Sequence, residues 1–293
     1  MDMRQTEQRQ IEQRVRAHEV TEGAGVTVHR TLGTPARRHL DPFLMLDHFS
    51  SDDPDDYIAG FPDHPHRGFV TLTYMLDGHM LHRDSMGNEG DLRSGGAQWM
   101  KAASGVIHSE MPRQTDGLMR GFQLWINLPA AHKLDDPAYQ DIAPEAIPES
   151  AHGGARVRVL AGEHAGARGP VDDPLTRLLY LDIALAPGAR FEHDGDADAE
   201  RAAFVYVFEG DAAIAGESLP QHHFAVLGPG GRLEVAAGDA GARLILVAGR
   251  PIGEPIVQYG PFVMNTREEI EQAMADYRDG RLVRRRAQAG GAT

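Results

Sequence analysis

Residues 68–78, GFVTLTYMLDG, constrain the fold of this chain more than any other segment. Val70, Leu72, Tyr74 and Leu76 fall on one side of an extended backbone, and Phe69, Thr71, Thr73 and Met75 on the other, because strand side chains alternate. Asp77-Gly78 follows with hairpin-turn chemistry and predicts a tight reversal. Shorter runs of the same kind recur in GVTVHR (25–30), DPFLMLDHF (41–49), GAQWMKAASGVIHSEMP (96–112) and GFQLWINLP (121–129). With 33 glycines and 18 prolines to make turns between them, the expectation is an all-β protein.

The second half repeats this grammar after a Pro-, Ala- and charge-rich stretch at 130–154 that reads as an interdomain connection. LLYLDIALAPGARF (178–191), AFVYVFEGDAAI (203–214), FAVLGPGG (224–231) and RLILVAG (243–249) are strand-like, and the apolar run ending in FEG echoes the one ending in LDG. Two domains are predicted, 1–135 and 136–293. The period changes only near the end. Thr266 and Glu269 have capping-box spacing, Ile270, Ala273, Met274 and Tyr277 make an i, i+3, i+4, i+7 stripe, and Gly280 is a fitting stop. One short amphipathic helix therefore closes the chain, followed by a basic tail with Arg284, Arg285 and Arg286 that reads as a solvated end.

The chain has no cysteine, so disulfides, thiolate metal sites and cysteine nucleophiles are excluded. A formal charge of -14 argues against general nucleic-acid binding, which needs a dense basic face. The first twenty residues lack the apolar core of a secretory signal, and no run reaches membrane-span length. A cytoplasmic protein is the expectation.

Chemistry concentrates in two pairs among fifteen histidines. His64-Pro65-His66 and His108-Ser109-Glu110 each place two donors at i and i+2, on one face of an extended backbone. Together they form a three-histidine, one-carboxylate set suited to a divalent first-row ion. An octahedral ion on four protein ligands keeps two positions open, whereas tetrahedral zinc would be closed and structural. Either pair alone is more often a surface-loop or core feature than a metal site, so the combination carries the reading. The other histidines read more plainly. His79 and His82 flank the hairpin and are expected to face solvent, and Glu192-His193 and His222-His223 do not supply a second spaced set. Trp99 and Trp125 are expected in the core or on a pocket wall.

FPDHPHRGF (61–69), HRDSMGN (82–88), QWM (98–100), GVIHSEMP (105–112) and GPFVMNTREEI (260–270) resemble, in this order, signatures of the pirin family. The resemblance spans most of the chain. It implies a bicupin, two jelly-roll β-barrels face to face with a short C-terminal helix, holding metal only in the N-terminal barrel. The family's ligands fall on His64, His66, His108 and Glu110. Ferrous iron is the implied cofactor, with other divalent first-row metals left open. Many members carry a glutamate after HRGF where this chain has Val70, which bears on pocket polarity and on any base at that position. The resemblance implies a dioxygenase of the quercetin 2,3-dioxygenase kind acting on a flavonol or related phenol. The alternative is a redox-responsive regulatory protein with a protein partner. Neither reading names a catalytic residue beyond the metal ligands.

Overall fold

The computed structural model describes residues 7–194 and 201–284, and Arg285 and Arg286 of the basic tail lie outside them. Two compact units emerge, each built from three segments of chain. One comprises 19–30, 43–144 and 252–293, and the other 1–18, 31–42 and 145–251. A boundary at 135/136 would make contiguous halves, whereas these contact units place Ile252–Thr293 with the HPH-containing segment. No described helix is long and apolar enough to cross a membrane.

The first unit is a sandwich of two antiparallel sheets of jelly-roll character. Its larger sheet orders the strands Ala138–Ile142, Ala97–Lys101, Phe69–Asp77, Met119–Asn127, Phe43–Ser51, Val26–Leu32 and His18–Glu22. Its smaller sheet orders Phe61–His66, Val106–Pro112, His79–Asp84 and Glu89–Arg93. Asp77-Gly78 does not close the expected hairpin. Phe69–Asp77 and His79–Asp84 belong to different sheets, so Gly78 (φ +107°) is a corner at which the chain passes from one layer to the other. Val26, Val28, Phe49, Met75 and Met119 from the larger sheet meet Met80 and Leu92 from the smaller, filling part of the space between the layers. Burying such side chains contributes about 1.5–3 kcal/mol each.

Lys133 lies in the stretch read from sequence as a connection, yet it is only 1% exposed. Its Nζ lies 2.7 Å from Gly68 O, 2.6 Å from Asn127 Oδ1 and 2.9 Å from Val263 O, and the neutral amine can donate to two of the three. Burial lowers its amine from 10.5 to about 7, against the smaller opposing pull of Glu254 and Glu269. An unfolded chain therefore holds this proton across a window from about 7 to 10.5 in which the folded chain has released it. Folding stability from this group should rise with pH through that window. In urea titrations, wild type should gain on Lys133→Met as pH is raised, and a constant difference between the two would refute this.

The C-terminal helix, Arg267–Arg278, starts at the expected capping box: Glu269 N donates to Thr266 Oγ1 (3.2 Å) and Thr266 N to Glu269 Oε2 (2.9 Å). Its buried face differs from the stripe read from sequence. Ile270 and Ala273 are buried, but Met274 and Tyr277 are exposed, and Asp276 turns inward. The reason is Arg67, buried at 2% exposure, whose guanidinium reaches Asp276 Oδ2 at 2.8 Å and Ser104 O at 2.6 Å.

The second unit is one nine-stranded sheet folded over a large aliphatic core. Its strands Ala202–Ile214 and Arg232–Gly249 run through both layers without a break. Strand pairing slips on either side of Gly210 (φ +62°), where a Cβ would lie 2.1 Å from Gly241 O. Gly210 thus marks the position that Gly78 marks in the first unit, and FEG and LDG are corresponding corners.

Candidate metal centre

Besides Met80 and Leu92, the smaller sheet of the first unit turns His66, His82, His108 and Glu110 inward. Strand Phe61–His66 runs antiparallel to Val106–Pro112 with His64 opposite His108. The i, i+2 alternation brings His64, His66 and His108 to one place, with candidate donor atoms within 4.8 Å of one another. Ring centroids are 4.3 Å apart for His64–His108, 4.7 Å for His64–His66 and 4.9 Å for His66–His108. Glu110 joins through His108, in a second group of the same tightness that also contains His82. His66, His108 and Glu110 are buried and His64 is half-buried.

Each of the three imidazoles has one nitrogen engaged. His64 Nδ1 bonds Pro62 O at 2.8 Å, His66 bonds the Pro261 carbonyl, and His108 Nδ1 lies 3.4 Å from His82 Nδ1. His66 Nδ1 and His108 Nε2 are buried and find no partner among the described residues. A buried polar atom without a partner costs about 1–3 kcal/mol. Two such lone pairs in one cluster are what a divalent ion would satisfy, so the residues fit the group. Burial, with repulsion from the neighbouring imidazoles, holds His66 and His108 well below the usual 6.5. Both are then neutral at pH 7, the form that ligates metal.

Glu110 is fixed by the larger sheet. Gln123 Nε2 donates to its Oε2 at 3.0 Å, and Thr73 Oγ1 lies 3.2 Å from its Oε1 and 2.5 Å from Gln123 Oε1. Phe69 and Trp125 form an aromatic wall, their rings 5.0 and 5.1 Å from His66. Phe69 and Thr73 both reach this centre, so the alternation of their strand turns Val70 to the opposite face.

Two family profiles match the chain: Pirin over residues 25–126 and the Pirin C-terminal cupin domain over 180–283. A Pseudomonas aeruginosa protein named "Putative quercetin 2,3-dioxygenase" is 50% identical over 276 residues, covering 90% of this chain and 95% of the relative. The human protein named Pirin is 41% identical over 273 residues, covering 91% of each. This chain belongs to the pirin family. The crystal structure of a quercetin 2,3-dioxygenase from Acinetobacter baumannii superposes with a TM-score of 0.87 at 31% identity, covering 94% of this chain and 99% of that one. The two-domain cupin fold of this pirin-family chain follows from these matches.

The second unit has a counterpart of the paired ligand strands. Arg190–Asp194 pairs with the start of Arg232–Gly249 as Phe61–His66 pairs with Val106–Pro112. There Phe191 lies opposite Val235, and His193 opposite Leu233. Three of the four are apolar. His193 instead lies with His164, Nδ1 to Nδ1 at 3.0 Å. His222 lies 3.4 Å from Tyr206 Oη through its Nδ1.

His82 overturns its sequence reading. It is fully buried, because the corner at Gly78 sends its strand into the smaller sheet with His82 opposite Glu110. His79 remains partly exposed beside Asp91. Asp84, Gln98, Gln123, Thr73 and Tyr139 were likewise missed. A signal for His82 and Asp84 existed, since they form a third pair at i, i+2, spaced like the other two.

Proposed function

We propose that this protein is a metal-dependent dioxygenase for a flavonol or related phenol, with one ion held by His64, His66, His108 and Glu110 and none in the second unit. The observation that carries the reading is the pair of unpartnered buried nitrogens, His66 Nδ1 and His108 Nε2, in one cluster. Ferrous iron is the proposed ion. Once bound, it would supply a Lewis acid for a phenol oxygen and a redox partner for dioxygen.

The chain's own residues divide the remaining work. His66 and His108, kept neutral by burial, present lone pairs at pH 7 without losing a proton. Gln123 orients the Glu110 carboxylate, so it serves as a fixed negative ligand rather than a freely moving base. Trp125, half-buried beside His66 and backed by the buried Phe69, offers apolar surface of the kind a planar phenol packs against. Val70 faces away from the centre and supplies no base.

The similarity to proteins named as quercetin dioxygenases supports the substrate class. The test is anaerobic loading with ferrous iron followed by oxygen consumption with quercetin. Uptake well above that of His66→Ala is expected. No excess over that control at full wild-type occupancy, across several flavonols, would sink the dioxygenase reading and favour an iron-responsive regulator.

A further inference from the structure

We propose that His82 and Asp84 are positioning residues of the metal centre, forming a buried Asp–His–His chain that fixes which nitrogen His108 presents to the ion. The proposal rests on the metal reading above and concerns residues to which that reading gives no role.

Asp84 sits at the start of a tight turn that holds its carboxylate from several sides. Oδ1 accepts from Met86 N (2.9 Å) and Asn88 N (3.0 Å), and Oδ2 accepts from Asn88 Nδ2 (2.8 Å). The same Oδ2 lies 3.3 Å from His82 Nε2, and both side chains are fully buried. A carboxylate so placed can only accept, so His82 carries its proton on Nε2 and its Nδ1 is an acceptor. Its single lone pair is held by Gln98 Nε2 at 2.7 Å, and His108 Nδ1, 3.4 Å away, shares it as the longer branch of a bifurcated bond. His108 is thereby the Nδ1–H tautomer, and its lone pair is on Nε2, the atom left without a partner. Every proton in the chain Asp84, His82, His108 has one consistent position.

The surroundings hold the arrangement in place. Tyr139 stacks on His82, centroids 4.7 Å apart and planes 18° from parallel. Gly90 leaves room for it, since a Cβ there would lie 1.8 Å from Tyr139 Oη. Ser85 ties the turn to the ligand strand: Ser85 N donates to Ile107 O (2.8 Å) and Ile107 N to Ser85 Oγ (3.1 Å). HRDSMGN and QWM, which carry no proposed metal ligand, thus converge on His108 through His82, Asp84, Asn88 and Gln98. A hydrogen-bond partner behind a ligating imidazole orients the ring and raises its basicity, and losing one typically costs about tenfold to a hundredfold in metal affinity.

The test uses Co(II) affinity, measured by chelator competition, and the hyperfine-shifted exchangeable protons of the Co(II) protein. His82→Phe keeps the stacking on Tyr139 but removes the acceptor. Affinity should fall about tenfold to a hundredfold, and the His108 N–H resonance should broaden or vanish through exchange. His82→Asn returns an acceptor oxygen near the Nδ1 position and should restore most of both. Asp84→Asn places N–H groups toward His82 Nε2, favours the opposite tautomer, and should weaken affinity while leaving ligand count unchanged. Affinities within about twofold of wild type for folded His82→Phe and Asp84→Asn would overturn the proposal, as this falls below the loss expected of an orienting partner. So would loss of a coordinated nitrogen in His82→Phe with the His108 resonance intact, which would make His82 a ligand. Failure of the metal reading itself shows separately, as wild type that takes up no cobalt.

Discussion

Replacing His66 with alanine should reduce bound divalent metal from one ion per chain to less than a tenth of that, measured by elemental analysis after loading and desalting. His66 supplies one of the two buried nitrogens that lack a partner, and an alanine offers the ion nothing in its place. The fold should survive, because the apolar contacts of Val26, Phe49, Met75, Met80 and Met119 lie elsewhere in the sandwich and do not depend on one imidazole. Losing a buried imidazole that must stay neutral also removes a source of acid sensitivity. Its lowered value means the unfolded chain binds the proton more readily, so this group's contribution to stability falls as pH drops below about 6.5. Glu110→Gln should lose less metal than His66→Ala, since the amide keeps the shape and a carbonyl oxygen but not the charge. Full retention in His66→Ala would overturn the ligand assignment. Two ions in wild type, falling to one, would reveal a second centre despite Phe191, Leu233 and Val235 around His193.

Asp276→Ala should destabilise the first unit by about 3–5 kcal/mol, the usual consequence of leaving one member of a buried ion pair behind. Arg67 is nearly inaccessible, and its charge meets the carboxylate of Asp276 at 2.8 Å. Burial raises the Asp276 carboxyl, but hydrogen bonds from Arg67 and Gln272 outweigh it and hold the group below its usual value. The stabilisation is therefore present at neutral pH and is lost as acidification protonates the carboxylate. Urea denaturation read by tryptophan fluorescence measures the effect. Combining Arg67→Met with Asp276→Leu should recover most of the loss, because neither charge is then stranded. Because Arg67 follows His66 directly, the single variant should also bind metal more weakly. A midpoint unchanged from wild type in Asp276→Ala would show that the pair contributes nothing.

Much of this centre was legible in the chain alone. Spacing of two residues puts His64 with His66 and His108 with Glu110 on common faces whatever the rest of the protein does, because strand side chains have a period of two. The capping box at Thr266 and Glu269 is equally local, and it formed as the sequence predicts. What period two leaves open is which face is inside and which strand lies alongside. His82 and Asp84 share a face by the same rule, yet nothing local says that Gly78 turns a corner between sheets rather than closing a hairpin. Only that corner sets His82 opposite Glu110 and buries both. The helix makes the same point. Its apolar spacing favoured Met274 and Tyr277 on the buried side, but the inward place went to Asp276, whose partner Arg67 is 209 residues away. Residue type and spacing determined which donors could meet a metal. Tertiary pairing decided which polar groups stand behind them, because a buried charge or imidazole is stable only where a distant strand or helix brings its partner.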